Sequence, residues 1–204
     1  MKLGLVSDIH EDAQRLRQAL LRLRAERVDR IIVLGDIFEL GTEIEETCRL
    51  LTEAGAVGVW GNHDFGICTD HDAEVRGRYS PQVLQFMASL KPRLEIEGCF
   101  FSHIEPWLDP EDLSHLWYFE GSPREHQNLD RIFQSVPNRL IFAGHYHTWL
   151  AATPEHILDW HGECNLSLNT GRHFVVVGAL CDGHYAILDT DNWLLRPYHL
   201  YAEG

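Results

Sequence analysis

The sequence predicts an α/β protein with a mixed sheet and helices on its outer faces. Three observations carry that expectation. Short β-branched runs alternate with helix-spaced apolar residues through the first part of the chain. From Arg93 onward strands follow one another in quick succession. Five apolar runs end in Asp, Asn or His, as expected where the carboxyl ends of parallel strands line a crevice.

The elements follow in order. "LGLV" (3–6) and, after its leading Arg30, "RIIVL" (30–34) are apolar runs, the pattern of buried strands. Between them Ala13, Leu16, Leu20 and Leu23 recur at steps of three, four and three, the spacing of one helix face. A second helix is expected from about Thr42 to Ala54, with Ile44, Cys48 and Leu51 on one face, before a third strand, "AVGVW" (56–60). Strand–helix–strand–helix–strand predicts a parallel sheet. Ser80-Pro81 and Ser122-Pro123 each place a capping hydroxyl before a proline suited to the first helical position. The first helix should turn Val83, Leu84, Met87 and Leu90 inward, the second Leu129, Ile132, Phe133 and Val136. "CFFSH", "RLIFAGH", "FVVVGAL", "HYAILD" and "WLLRPYHLY" read as strands, with Asp182-Gly183 and Asp191-Asn192 as hairpin turns between the last three.

With 204 residues and no repeat, low-complexity tract or linker, a single domain over 1–204 is expected. Its 17 Lys and Arg against 31 Asp and Glu give a net charge of −14, which argues against a non-specific nucleic-acid binder but not against a small phosphate ester held by metal ions. "MKLGLVSDIH" has no signal-peptide core, and no apolar run is long enough to cross a bilayer. The five cysteines form no CxxC and read as reduced thiols, with Cys68 a packing residue. A cytoplasmic protein without a membrane partner is expected.

The chemistry collects at the strand ends. The first strand runs into Ser7, Asp8, Ile9 and His10, the second into Gly35 and Asp36, and the third into Gly61, Asn62, His63 and Asp64. "CFF" runs into Ser102 and His103, and "LIFA" into Gly144, His145, Tyr146 and His147. Imidazole and carboxylate suit first-row divalent metals. Seven ligand side chains, the Asn62 amide among them, are too many for one four-coordinate zinc and about right for two ions sharing a carboxylate.

In that order, "DIH", "GD", "GNHD", a later lone His and "GHYH" resemble the calcineurin-like metallophosphoesterase superfamily over residues 8–147. The short chain, the start at "LVSDIH" and the β-rich stretch after "NTG" resemble its small bacterial and archaeal phosphodiesterase branch. The resemblance implies a four-layer α/β/β/α sandwich of two mixed sheets flanked by helices, with a dinuclear metal site at the carboxyl ends of strands. It assigns Asp8, His10 and His147 to a first metal, Asn62, His103 and His145 to a second, and Asp36 to both. The cofactors would be two divalent transition-metal ions, manganese ahead of iron, zinc or nickel. The activity implied is hydrolysis of a phosphate ester by in-line attack of a bridging hydroxide, with His63 as general acid to the leaving group. The alternative for His63 is to support a metal-binding residue from behind or to pack. A small phosphodiester is the expected substrate. A phosphomonoesterase or protein phosphatase is the second reading and a non-catalytic adaptor the third.

Several residues depart from the family pattern or leave a choice open. His103 stands in "FFSHIEP", where relatives carry a glycine after the histidine. Glu11 and Asp12 follow His10 and would add negative charge to the rim. "NTGR" replaces "NPGS", which makes Arg172 either a phosphate-binding side chain or a surface arginine. Glu39, in "GDIFE", either orients His63 or is a plain surface residue, and Asp64 is expected to support the ligands from behind. His71, between Asp70 and Asp72, could line the substrate cleft. Segments 65–79 and 104–123 read as cleft walls. The aromatic side chains of the second either stack on a base or aryl leaving group or form a hydrophobic cluster that pins a long loop. Monoester chemistry asks for cationic side chains, and only Arg76, Arg78 and Arg172 stand near the motifs.

Overall fold

Strands that are apolar on both sides need cover on both faces, and two stacked sheets between helices provide it. A computed structural model describes residues 1–69, 73–118, 120, 124 and 128–200, apart from the side chains of Ala73 and Arg76. Strand β1 (Lys2–Val6) leads to α1 (Ala13–Ala25), β2 (Arg30–Leu34), α2 (Ile44–Glu53) and β3 (Val57–Val59). The three strands are parallel, with Leu5 opposite Ile32 and Val33 opposite Gly58. Three short helices follow, α3 (Phe65–Cys68), α4 (Ala73–Arg78) and α5 (Pro81–Met87). Helix α5 starts as its sequence predicts, with Ser80 Oγ accepting the Val83 N–H and Pro81 in the first turn. It ends at Met87, so Leu90 is buried from the loop beyond it.

The second sheet begins with β4 (Leu94–Ile96) and β5 (Cys99–Phe101). After α6 (Leu113–Leu116) and α7 (Leu129–Ser135) come β6 (Leu140–Ala143), β7 (Leu150–Ala152), β8 (Leu166–Ser167) and β9 (His173–Val176). A 3-10 turn at Leu180–Asp182 precedes β10 (His184–Asp189) and β11 (Leu194–His199). Ser122-Pro123, read as a helix start, lies outside the described residues; the helix that buries Ile132 and Phe133 begins after Asn128, whose side chain makes no capping hydrogen bond.

Among the described residues the strands form a six-stranded sheet, β3-β2-β1-β10-β11-β8, and a five-stranded sheet, β4-β5-β6-β9-β7, both mixed. Alternate side chains go to opposite layers. Leu3 and Leu5 of β1 and Ile32 and Leu34 of β2 meet Phe101, Leu140, Phe142 and Val175 between the sheets. Val6, Ile31 and Val33 pack under α1 and α2, whereas Ile141, Phe174 and Val176 pack under Ile132 and Phe133 of α7. Each fully buried aliphatic or aromatic side chain contributes about 1.5–3 kcal/mol, so three connected layers hold the strand ends firmly.

One turn expectation is corrected. Asp191-Asn192 does turn a hairpin, with Asp189 opposite Leu194. Asp182-Gly183 does not. Strand β9 belongs to the five-stranded sheet and β10 to the six-stranded one, so this turn carries the chain from one sheet to the other. Gly183 takes φ +91°, which a glycine adopts without steric cost.

Candidate metal centre

Both sheets deliver polar side chains to one cleft. Asp8 and His10 follow β1, Asp36 follows β2, and Asn62 and His63 follow β3. From the other sheet, His103 follows β5, and His145 and His147 follow β6. Five of these residues hold the left-handed backbone region: Asp8 at φ 51°, His10 at 45°, Asp36 at 53°, His145 at 71° and His147 at 51°. Each such conformation costs on the order of 1–3 kcal/mol and persists only where its surroundings enforce it. The motif glycines allow the crowding. A Cβ on Gly61 would lie 2.1 Å from Asp36 Oδ1, and one on Gly144 would lie 2.0 Å from Ser7 Oγ.

The donor atoms converge in two overlapping groups. His10 Nε2 and His147 Nε2 stand 3.1 Å apart, and Asp8 Oδ1 lies 3.4 Å from His147 Nε2. On the other side Asn62 Oδ1 is 3.0 Å from both His103 Nε2 and His145 Nδ1. Asp36 Oδ2 sits between the groups, 3.3 Å from His103 Nε2 and 3.8 Å from His10 Nε2. Ligands of one ion with bonds of about 2.0–2.2 Å stand roughly 3–3.5 Å from one another, so nearly all these spacings suit a shared cation.

Ring orientation supports the same use. His103 is fully buried, and its Nδ1–H donates to the Leu34 carbonyl at 2.6 Å. That bond fixes the ring and aims Nε2 at Asn62 and Asp36, as an outer partner does for a metal-binding histidine. His10 likewise turns Nδ1 to Glu39 Oε2 at 2.7 Å and leaves Nε2 facing His147.

The cluster carries strongly opposed electrostatic demands. Burial works against ionisation of Asp36, yet the His103 imidazole holds its carboxyl below the ordinary carboxylate range. Burial likewise opposes charge on His103, but the adjoining Asp36 carboxylate pushes its pKa up to about 9. Asp8 raises His147 to about 10, while burial and the charge on His103 lower His145 to about 4. His103 and His147 are thus held protonated, and each would release that proton on binding a divalent cation.

The calcineurin-like phosphoesterase superfamily domain profile matches residues 1–192. The chain belongs to that superfamily. Its fold is similar to that of a metallophosphoesterase from Sphaerobacter thermophilus, with a TM-score of 0.79 at 22% identity, over 100% of this chain and 89% of that one. It is also similar to an archaeal phosphodiesterase, with a TM-score of 0.57 at 18% identity, over 98% of this chain and 100% of that one. An uncharacterised protein of Methanocaldococcus jannaschii is 26% identical over 218 residues, 95% of this chain and 85% of its own length. The family is metal-dependent, and the phosphoesterase holds His and Asp groups able to bind a metal.

The phosphoesterase's remaining candidates sort by position. Glu39 Oε2 reaches His63 Nδ1 at 3.4 Å as well as His10, so one carboxylate touches both rings. Asp64 is fully buried and accepts the N–H groups of Ile37, Phe38 and Gly61, each at 2.9 Å, pinning the loops behind the candidate donors. Burial and the nearby Asp36 push its carboxyl up to about 6. His71 lies outside the described residues.

Two expectations are corrected. Glu11 and Asp12 do not charge the rim. Glu11 is 6% exposed and accepts from the N–H groups of Glu39, Gly41 and Glu43, and Asp12 caps α1 through the Arg15 N–H. Arg172 is not brought to the site: it precedes β9, at the strand edge away from the cleft, and donates to the carbonyls of Phe133, Val136 and Asn138. The segment beside the candidate donors is instead the sheet crossing after β9, where the Leu180 and Cys181 N–H groups bond the Ser7 and Asp8 carbonyls. Cys181, which its spacing gave no reason to single out, lies with its sulfur 3.9 Å from His147 Nδ1 and lines the cleft. Cys68 packs against the core as expected.

The aromatic segment divides. Trp107 and Tyr118 pack against the core in an edge contact of 5.7 Å, which matches the pinning role. Trp117 stands outside that cluster, its ring 5.2 Å from that of His63.

Proposed function

We propose that this phosphoesterase, a single domain over residues 1–204, hydrolyses a small phosphodiester with the aid of two divalent ions. The observation that carries this reading is the convergence of seven nitrogen and oxygen donors from both sheets beside the paired His63 and Glu39. In this reading Asp8, His10 and His147 hold one ion, Asn62, His103 and His145 the other, and Asp36 reaches both. Manganese is the first expected occupant, with iron, zinc and nickel compatible with the same donors. Ions so held would polarise the phosphoryl oxygens and lower the pKa of water from roughly 15.7 towards neutrality.

The chain's own groups do the rest. Glu39 orients the His63 ring, and His63 supplies a proton to the departing oxygen, a contribution of about 10²–10⁴ in rate. Asp64 and Glu11 hold the loops that carry Asp36, Glu39 and His63. A diester is favoured over a monoester by charge. Among the described residues lining the cleft, Glu39 and Asp36 are present and no Lys or Arg is. A monoester, with close to two negative charges at pH 7, would lack a cationic side chain there. Five free cysteines support a reducing, cytoplasmic setting. Among the described residues no helix is long and apolar enough to cross a membrane.

The test is a paired assay. Chelator-stripped protein is reloaded with manganese and offered bis-p-nitrophenyl phosphate and p-nitrophenyl phosphate. Faster diester cleavage supports the proposal, and faster monoester cleavage moves the assignment to a phosphatase. Failure on both with manganese, iron, zinc and nickel points to a non-catalytic adaptor.

A further inference from the structure

We propose that Trp117 is a stacking platform for the nucleobase of a nucleoside leaving group. The proposal rests on the phosphodiesterase reading and names the substrate class: a diester whose departing alcohol carries a base.

Trp117 is 55% exposed, whereas the other five tryptophans are buried or half-buried. It joins none of the three apolar clusters. The segment around it is nonetheless well anchored. Trp107 Nε1 donates to Glu105 Oε2 at 2.8 Å, and the Arg131 guanidinium lies 4.1 Å over the Trp107 ring. Trp60 Nε1, at the end of β3, donates to the Pro110 carbonyl at 2.9 Å. Asp112 caps the single turn of α6 through the Ser114 N–H, Leu116 is fully buried, and the Trp117 N–H closes the turn on the Leu113 carbonyl. A rigid mount therefore presents a water-exposed indole.

Its place sets its use. The Trp117 ring is 5.2 Å from that of His63, which is 4.9 Å from that of His10. His63 donates to the departing oxygen in the proposed reaction, so the indole covers the leaving-group side, one ring beyond the proton donor. An exposed indole on a fixed mount loses little conformational freedom when a flat ring settles on it. Stacking of a base on an aromatic side chain changes affinity by about 5- to 150-fold. The acidic cleft admits one nucleoside here while opposing a long polyanion.

The experiment compares the wild type with Trp117→Phe and Trp117→Leu, each loaded with manganese. The substrates are adenylyl-(3′→5′)-adenosine, which releases a nucleoside, and adenosine 3′-methyl phosphate, which releases methanol. The wild type should favour the dinucleoside. Trp117→Leu should reduce that preference at least about tenfold, through KM, and Trp117→Phe should keep most of it. An equal loss of kcat on both substrates would make Trp117 a support for His63 and overturn the proposal, as would an unchanged preference. A second readout does not need catalysis. Adenosine should quench the part of the fluorescence that Trp117→Leu removes, and ribose should not. With no hydrolysis of any diester the phosphodiesterase reading fails, and quenching still decides whether a base sits on Trp117.

Discussion

Replacing Glu11 by alanine tests whether a buried carboxylate assembles the loop beside the catalytic cleft. Glu11 accepts three backbone N–H groups, from Glu39 at 2.9 Å, Gly41 at 2.6 Å and Glu43 at 2.8 Å, and the Thr42 hydroxyl at 3.2 Å. Those donors outweigh the burial that would otherwise raise its pKa and hold it below the usual glutamate value. A hydrogen bond to a charged acceptor contributes about 1.5–3 kcal/mol, but such bonds do not add, and residues 39–43 can recover part of the loss from water. The expected cost is therefore about 3 kcal/mol, well short of the sum. For a chain of this size that lowers Tm by about 6–12 °C. Circular dichroism melts in chelator give the number without metal linkage. A Glu11→Ala melt within about 2 °C of wild type would show that the loop holds itself and that the reasoning is wrong. Released Glu39 should also lower kcat in the loaded enzyme, because Glu39 touches both His10 and His63.

Four further outcomes are expected. His103→Ala should bind one manganese instead of two by elemental analysis and keep its far-ultraviolet spectrum; two retained ions would refute the ligand assignment. Loading the wild type at a thousandfold excess over Kd should add about 4 kcal/mol per site to stability, read as a rise in Tm, and an unchanged Tm would mean that nothing binds the native state. Arg172→Ala should cost about 2 kcal/mol in urea denaturation while leaving kcat/KM within twofold, whereas a loss confined to KM would restore its phosphate-binding role. His173 is buried, and burial followed by the nearby Arg139 lowers its pKa below 6.5. The unfolded chain therefore takes up this proton first as pH falls, so stability is lost from about pH 6.5 down to the native pKa. His173→Gln should flatten that part of the urea midpoint against pH in chelator, and an identical slope would exclude His173 as its source.

The sequence made some features legible and hid others for physical reasons. Strands such as "RIIVL" announce burial on both faces because every side chain after Arg30 is apolar, and Ser80-Pro81 announces a helix because capping is local. The convergence of Asp8, Asp36, Asn62, His103, His145 and His147 was readable because parallel strands place their carboxyl ends together. The Asp182-Gly183 crossing was not readable, since a turn signal does not say which sheet the next strand joins. Arg172 shows the same limit: the carbonyls that occupy it come from Phe133, Val136 and Asn138, more than thirty residues earlier in the chain. Glu11 looked exposed because its partners belong to a loop after the next strand. Cys181 had no spacing to mark it, and only the sheet crossing brings its sulfur to His147.

Strand β1 lies between β2 and β10, and the late turn at Leu180–Asp182 bonds the backbone of Ser7 and Asp8. During synthesis the order of events is therefore uneven. All seven donors have been made once His147 is added, yet the strand and turn that seat the first of them are still to come. A growing chain carries all seven donors before it has the wall against which Asp8 is held. The cleft is complete only once the turn at Leu180–Asp182 and β10 have been made, and a chain stopped ahead of Gly178 would carry the seven donors without that wall.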